Sequence, residues 1–278
     1  MGSIAKASFD IIWSFDNSVF YRFDALPFGV LKISHIVDLN QNFKTKSAAQ
    51  SANICFGVIS PIVERLKLHN PLSFKVGHGL NVVSDYDFNF VTPGLNDIKA
   101  LYLGNLAMSY LDWENLYRTA IAHSEVDFIF IGSNGDNFDL VKNSTHDSKL
   151  NISKLSNVFF HNYIPASAIH SVISRADILM ISYQEKYHLD QSNSHKVLEY
   201  LYSGKPIVAT FTQEYEGKDL MYMSKKNAEW PSIFEYVISN LEVCSSKELA
   251  DKRKNYALEH TYDKQIDRIE KLLASLPA

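Results

Sequence analysis

The alternation of short apolar runs with longer amphipathic stretches constrains the fold of this 278-residue chain more than any other feature. Apolar runs of about four to eight residues predict buried strands, and the amphipathic stretches between them predict helices. This pattern is typical of parallel sheets that are covered by helices on both faces. The sequence therefore predicts an α/β fold.

The alternation forms two series, and a polar segment of weak periodicity at 82–97 lies between them as a predicted linker,. We therefore place one domain at 7–94 and a second at 95–278. The predicted strands of the first domain lie at 9–15, 31–37, 54–59 and 73–76. Those of the second lie at 100–103, 126–131, 157–160, 177–181 and 206–209.

Helix signals lie between most of these strands. Ser60 as N-cap and Pro61 as the first helical residue open one helix, and Asn193 or Ser194 caps another that ends at Gly204,. Residues 136–156 are polar and predict a loop. The other predicted helices lie at 44–53, 113–123, 166–175 and, as one or two helices, within 246–276.

Composition narrows the classes of function. With 46% hydrophobic residues the chain can bury a real core, and a net charge of −4 gives no basic field for nucleic acid, so no nucleic-acid partner is expected,. Two cysteines supply neither a disulfide framework nor a cysteine-rich metal site,. Without a long apolar run or a signal peptide, we expect a cytoplasmic protein, and peripheral contact with the inner face of the membrane stays compatible with the sequence.

The segment from Ser192 to Val208 carries the most chemical information. It places Lys196 in the first turn of a helix, where free backbone N–H groups and the helix dipole favour an anion such as phosphate. Glu199 lies on nearly the same face, and its carboxylate can accept hydrogen bonds from the two hydroxyls of a ribose. The alternative is an ordinary exposed pair that contributes a few tenths of a kcal/mol, roughly 0.2–0.5.

Six motifs follow one another in a characteristic order between Phe9 and about Lys218. They are the strand into His78-Gly79, Tyr102-Leu-Gly-Asn105, Phe128-Ile-Phe-Ile-Gly132, Asn157-Val-Phe-Phe160 with Ile164-Pro165, Ala176-Asp-Ile-Leu-Met180 and Lys196-Val-Leu-Glu-Tyr-Leu-Tyr-Ser-Gly-Lys-Pro206. In these motifs the sequence resembles bacterial glycosyltransferases of the GT-B fold, of the family-4-like and exopolysaccharide glucuronosyltransferase kinds. The resemblance implies two Rossmann-like domains with parallel sheets, an acceptor-side domain at 7–94 that lacks about its first half, and a nucleotide-sugar domain at 95–278.

The resemblance also implies a donor site. Glu199 matches the glutamate that holds the donor ribose, and residues at the places of Tyr183 and Lys196 contact the nucleotide in the glucuronosyltransferases. Two positions depart from the pattern: Gln191 replaces a usual glutamate, and Asn105 replaces a frequent arginine, so one cation is missing and Lys196 becomes the better partner for a diphosphate. The expected donor-binding residues are Gly104, Asn105, Gly132, Tyr183, Ser194, His195, Lys196 and Glu199.

For a catalytic group the resemblance points to the first domain, because acceptor and donor meet between the domains in that family. Asp38 is the first choice, His78 the second and Asp16 the third. An inverting enzyme would use Asp38 to deprotonate an acceptor hydroxyl, whereas a retaining enzyme would need no such base and could hold His78 near the sugar. The alternatives are a loop aspartate and a histidine packed in a glycine loop.

The predicted function is transfer of a sugar from a nucleotide-diphosphate sugar to a hydroxyl of a cell-surface polysaccharide or a lipid-linked acceptor. No cofactor and no metal ion are expected, because no Asp-x-Asp pattern follows a strand of the second domain and the histidines lack metal-ligand spacing,. A non-catalytic nucleotide-sugar-binding or scaffold protein and a sugar-nucleotide epimerase are the alternatives. The sequence leaves the sugar, the base and the stereochemical outcome open.

Overall fold

The computed structural model describes residues 9–15, 17, 20–26, 28–39, 44–82, 88–133, 151–188 and 194–275. The chain forms two compact units. The first contains Met1–His78 together with Gln265–Ala278, and the second contains Gly79–Lys264. Each unit has a parallel sheet of its own, which confirms the predicted α/β class.

The strands are β1 (Ile11–Ser14), β2 (Leu31–Ile36), β3 (Ile54–Gly57), β4 (Ser73–Lys75), β5 (Ile98–Leu103), β6 (Val126–Ile131), β7 (Val158–His161), β8 (Ile178–Ile181), β9 (Ile207–Ala209) and β10 (Tyr222–Met223). The α-helices are α1 (Thr45–Ser51), α2 (Ser60–Lys67), α3 (Trp113–Ala122), α4 (Ile169–Ile173), α5 (Lys196–Ser203), α6 (Trp230–Ser239), α7 (Leu241–Cys244), α8 (Lys247–Leu258) and α9 (Tyr262–Ala274).

The sheet of the first unit has the order β1-β2-β3-β4, with all neighbours parallel. Helices α1 and α2 cover one face, where Ala48, Ile62 and Leu66 are buried. The other face packs against the end of α9, through Ile269 and its partly buried neighbours. Both faces of this sheet are thus covered by helices, as is typical of parallel sheets.

The sheet of the second unit has the order β10-β9-β8-β5-β6-β7, again with parallel neighbours. Numbered from β5 onward and read from β7, this is the 3-2-1-4-5-6 order of the doubly wound Rossmann fold. The strand order reverses between β5 and β8, and ligands of such sheets bind outside the carboxyl ends of the strands at that point.

The division between the units differs from the predicted boundary at 94/95. After His78 the chain is already fixed to the second unit, because Leu80 N donates to His260 O at 2.7 Å and Tyr262 N donates to Leu80 O at 3.1 Å. Phe90, inside the predicted linker, is buried in the same core. These hydrogen bonds and this packing join segments that are far apart in sequence, so the composition of the linker cannot reveal them.

Three helix predictions need correction. Helix α2 begins at Ser60, and Ile59 holds the N-cap position without a side-chain cap, so Ser60 is not the cap. Helix α5 begins at Lys196 with His195 at its N-cap position, so Ser194 does not cap it, and Asn193 lies outside the described residues. The helix that we predict over 166–175 starts as a 3-10 turn and is α-helical only in α4.

The end of α5 agrees with the prediction, and three elements of the structure were not predicted. Gly204 ends α5 with a φ of 76°, as predicted for a left-handed glycine,. Helices α6 and α7 and strand β10 are absent from the predicted elements. Within the described residues, every helix is too short or too polar to cross a membrane.

Arg253 of α8 fixes three segments of the second unit. Its guanidinium is buried and donates hydrogen bonds to the carbonyl oxygens of Leu220, Gly204 and Cys244, at 3.0–3.2 Å. Gly204 ends the helix that carries Lys196, so this arginine supports the position of α5. Only a planar fork of donors satisfies three separate carbonyls in this way.

We expect Arg253→Lys to lower the free energy of unfolding by about 3 kcal/mol, because a single ammonium group cannot reach all three carbonyls and leaves buried acceptors unpaired. Urea denaturation measures the change. Arg118→Lys is the matched control, because Arg118 forms an exposed pair with Glu114 on α3 and such pairs contribute about 0–1 kcal/mol,. Equal effects of the two substitutions would contradict the structural role of Arg253.

Candidate functional site

A pocket of about 300 Å³ lies in the second unit, beside the carboxyl ends of β5, β6 and β7. This is the edge of the sheet next to the point where the strand order reverses. The residues that line the pocket are Leu103, Gly104, Asn105, Ile131, Gly132, Ser133, Tyr163, Ile164, Ile169, Lys196 and Glu199.

Two glycines allow the loops after β5 and β6 to approach each other. Gly104 has a φ of 151°, and a side chain added at Gly132 would overlap the carbonyl oxygen of Gly104. The backbone of the first loop therefore passes directly beside that of the second. Any residue with a Cβ at 132 would push these loops apart and reshape the pocket wall.

Lys196 occupies the first turn of α5 and is one of the residues that line the pocket. Nζ is shielded from solvent and has no hydrogen-bond acceptor within the described part of the chain. It lies 4.0 Å from the ring centroid of Tyr102 and 5.6 Å from that of Tyr183. The aromatic faces attract the ammonium group, but they leave its donors unused.

Glu199 lines the same pocket one turn further along α5. Burial raises the pKa of its carboxyl group to about 7, and the nearby Lys196 partly opposes that rise. Burial likewise lowers the pKa of Lys196 to about 7, and Glu199 partly opposes that change. The pocket thus holds an amine that can donate hydrogen bonds to an anion and a carboxylate that can accept hydrogen bonds from hydroxyl groups. Both lie in a poorly hydrated environment.

The other predicted donor-site residues lie around this pair. Asn105 is at the pocket, but its side-chain oxygen accepts a hydrogen bond from Ala107 N at 3.0 Å, so it fixes its own loop. Tyr183 is buried beneath Lys196, and burial raises its pKa above the ordinary range.

Ser194 and His195 precede the first turn of α5 and are not among the pocket-lining residues. The carbonyl oxygen of Ser194 accepts a hydrogen bond from Val197 N at 3.0 Å. The ring of His195 lies 3.4 Å from the hydroxyl oxygen of Tyr262, measured from Nε2. Gln191, the departure noted in the sequence, lies outside the described residues.

The two predicted catalytic residues belong to the first unit. Asp38 is exposed and follows β2. His78 follows β4 in the loop with Gly77 and is half-buried, and its carbonyl oxygen accepts a hydrogen bond from Gln265 Nε2 at 2.9 Å. Asp16, the third choice, lies outside the described residues.

Sequence reasoning missed several residues of this site. Tyr163 follows β7 at the pocket, and its side chain is 68% exposed. Tyr102 supports Lys196 from inside β5, where the pattern indicates only a core residue. Outside this pocket, in the first unit, His35 of β2 is buried against Trp13 and Phe56, and burial lowers its pKa to about 4.

No cluster of three or more His, Cys, Asp or Glu side chains suited to a metal ion occurs within the ranges that the structure describes. Lys196 and the N-terminus of α5 supply positive charge at the pocket,.

Solved structures with the same architecture are glycosyltransferases. HepE of Anabaena, solved in complex with UDP-glucose, matches with a TM-score of 0.63 at 15% identity, over 88% of this chain and 72% of HepE. A UDP-forming trehalose-phosphate synthase from Burkholderia xenovorans matches with a TM-score of 0.69 at 9% identity, over 96% and 74%. The chain has the GT-B fold. That confirms the fold implied by the sequence resemblance.

The GT-B likeness extends to a sucrose-phosphate synthase from Thermosynechococcus elongatus, with a TM-score of 0.63 at 12% identity, over 89% of this chain and 68% of that one. Neither a protein-family model nor a curated protein matches the sequence. At identities this low the likeness establishes a GT-B fold and leaves the chemistry to the site itself.

Lys196 and Glu199 in the pocket are expected to make the free energy of unfolding depend on pH. The lowered pKa of Lys196 means that the unfolded chain binds more protons above pH 7, so this group makes stability rise from pH 7 towards 10.5,. The raised pKa of Glu199 means that the folded chain binds more protons between 4.5 and 7, so that group makes stability fall over this range,. The pair thus contributes a stability minimum near pH 7.

We expect Lys196→Met to reduce the rise in unfolding free energy between pH 7 and 9, and Glu199→Gln to reduce the fall between pH 5 and 7. Urea denaturation of each variant beside the wild type, at the three pH values, isolates the contribution of the pair because all other groups are shared. Parallel pH profiles for wild type and both variants would refute the burial of this pair.

Proposed function

We propose that the pocket of the second unit binds the nucleoside diphosphate of a sugar donor, and that the protein transfers the sugar to an acceptor hydroxyl. The buried amine of Lys196, which has no hydrogen-bond acceptor among the described residues, carries the proposal. An amine kept from water with no acceptor is costly unless an anion completes it. A diphosphate is the anion of matching size for a pocket of about 300 Å³ that also holds a ribose acceptor.

The diphosphate is proposed to lie in the pocket, beside Lys196 and Gly104. The N-terminus of α5 adds the partial positive charge of the helix dipole on the same side,. Gly104 lines the pocket without a side chain, so an anion can approach its backbone closely,. This arrangement compensates for Asn105, whose side chain is engaged with its own loop and carries no charge.

The ribose is proposed to bind Glu199 through its two hydroxyls. A carboxylate accepts two such bonds at once, and Glu199 makes no hydrogen bond that would compete within the described residues,. The raised pKa of Glu199 implies that its ionised form gains from hydroxyl donors, which would lower that pKa again on binding,.

The base is proposed to lie on the side of Tyr163, Ile164 and Ile169. These side chains provide an exposed aromatic ring and two aliphatic surfaces, and planar bases stack on such surfaces. The HepE structures contain UDP-glucose or UDP, and a TarM structure contains UDP with the saccharide fondaparinux. These neighbours support a nucleotide sugar as donor and a saccharide among the acceptors.

The acceptor class and the catalytic group remain proposals that rest on the sequence resemblance. We propose a cell-surface polysaccharide or lipid-linked acceptor, with Asp38 as the base that deprotonates its hydroxyl in an inverting reaction. The exposed carboxylate of Asp38 after β2 is free of ion pairs in the described part of the chain. His78 is the second proposed group, near the sugar in a retaining reaction.

Lys196→Met and Glu199→Ala should each weaken nucleoside diphosphate binding by about tenfold to a hundredfold, because each removes a bond to a charged group worth about 1.5–3 kcal/mol. Calorimetric titration with UDP, GDP, ADP and TDP measures the loss and identifies the base. Lys247→Met and Glu248→Ala on α8 are matched controls, since both side chains are exposed outside the pocket.

Saturable binding of one nucleotide that only the pocket variants weaken would support the donor site. Absence of binding by the wild type, or equal losses in the α8 controls, would refute it. Binding without transfer to any acceptor would favour a non-catalytic nucleotide-sugar-binding protein of the same fold, and isomerisation of the donor would favour an epimerase.

Asp38→Asn should reduce the rate of sugar transfer by about a hundredfold or more and leave nucleotide affinity unchanged, because it removes a general base without touching the donor pocket. Release of nucleoside diphosphate in the presence of saccharide acceptors measures the rate. Asp24→Asn is the control, as that carboxylate is exposed and paired with Arg22 in the same unit. Full activity of Asp38→Asn combined with loss in His78→Gln would assign the role to His78 instead.

A further inference from the structure

A buried hydroxyl lies behind the wall of the pocket and has no part in the donor site as described so far. Tyr102 of β5 is fully buried, and its hydroxyl makes no hydrogen bond within the described part of the chain. Buried hydroxyls almost always have a partner, since an unpaired one costs free energy. The Tyr102 hydroxyl is thus a buried donor that has no acceptor among the described residues.

The position of Gly104 connects this hydroxyl to the pocket. A side chain at Gly104 would begin 2.8 Å from the Tyr102 hydroxyl oxygen and 2.6 Å from Lys196 Nζ. Both polar atoms therefore lie close to the Cα of Gly104, which itself lines the pocket. A phosphate oxygen that packs against Gly104 from the pocket would lie close to both donors.

The chemistry of the two donors selects an anionic partner. Lys196 Nζ lies 4.0 Å from the ring centroid of Tyr102, so the ring face holds the ammonium group in place,. Burial raises the pKa of Tyr102 well above its ordinary value, and the hydroxyl therefore keeps its proton. A hydroxyl donor beside an ammonium group matches a phosphate oxygen with several lone pairs.

We propose that the Tyr102 hydroxyl is a second donor, together with Lys196, to the diphosphate of a nucleotide bound in this pocket. The proposal rests on the proposed function of the pocket and adds a residue that makes the site specific for the charged part of the nucleotide. Gly104 is then required because any side chain there would overlap both donors.

The test compares wild type with Tyr102→Phe, which keeps the ring beside Lys196 and removes only the hydroxyl. Calorimetry measures binding of UDP, uridine and inorganic pyrophosphate. We expect Tyr102→Phe to weaken UDP and pyrophosphate by about tenfold and to leave uridine unchanged, as expected for a bond made to phosphate alone.

The melting temperature distinguishes this role from a purely structural one, because loss of a structural hydroxyl would lower it. Tyr102→Phe should leave the melting temperature unchanged or raise it, because the lost hydroxyl has no partner in the empty protein. Tyr200→Phe is the matched control: the Tyr200 hydroxyl is also buried but accepts a hydrogen bond from Leu103 N at 2.8 Å, so its removal should lower the melting temperature.

Selective loss of UDP and pyrophosphate binding at unchanged stability supports the proposal. If wild type binds UDP but Tyr102→Phe binds it equally well, or weakens uridine to the same degree, Tyr102 is not a diphosphate donor while the proposed function stands. If wild type binds neither UDP nor pyrophosphate, the diphosphate site fails, and the Tyr102 proposal fails with it.

Discussion

The parallel pairing of all six strands in the second sheet brings their carboxyl ends to one edge, and the candidate donor site depends on that constraint,. Gly104 follows β5, Gly132 follows β6, and Lys196 opens the helix that comes after β8. The order β7-β6-β5-β8 reverses the direction in which the chain builds the sheet, and this reversal opens the crevice,. Strand order alone thereby brings residues that are far apart in sequence together around one pocket.

Much of this fold follows from periodicity. The run at 126–131 is buried at every position, and the structure has a strand with the same bounds. Helix α6 was not predicted, although its buried residues Trp230, Phe234 and Val237 have the i, i+4, i+7 spacing of an amphipathic helix, and β10 is only two residues long. The amphipathic end of the chain predicts a helix, but its packing on the first sheet depends on contacts that no local pattern encodes.

The residues of the candidate site also fall into those that the sequence predicts and those that only the fold reveals. Spacing alone places Lys196 and Glu199 on one face of a helix, and the family resemblance gives that face a ligand. Tyr102 looks in sequence like any inward residue of an apolar strand, and only the fold shows an ammonium group over its ring. Exposure distinguishes Tyr163 from core tyrosines, and exposure is a property of packing. The role of Asp38 stays a prediction from resemblance.

A crystal structure of the chain soaked with UDP tests the central claim most directly. We expect the diphosphate beside Lys196 Nζ and the Tyr102 hydroxyl, and the ribose hydroxyls within hydrogen-bond distance of Glu199. UDP bound elsewhere, or a pocket in which Lys196 remains over the Tyr102 ring without contact to phosphate, would contradict the assignment of this pocket as the donor site.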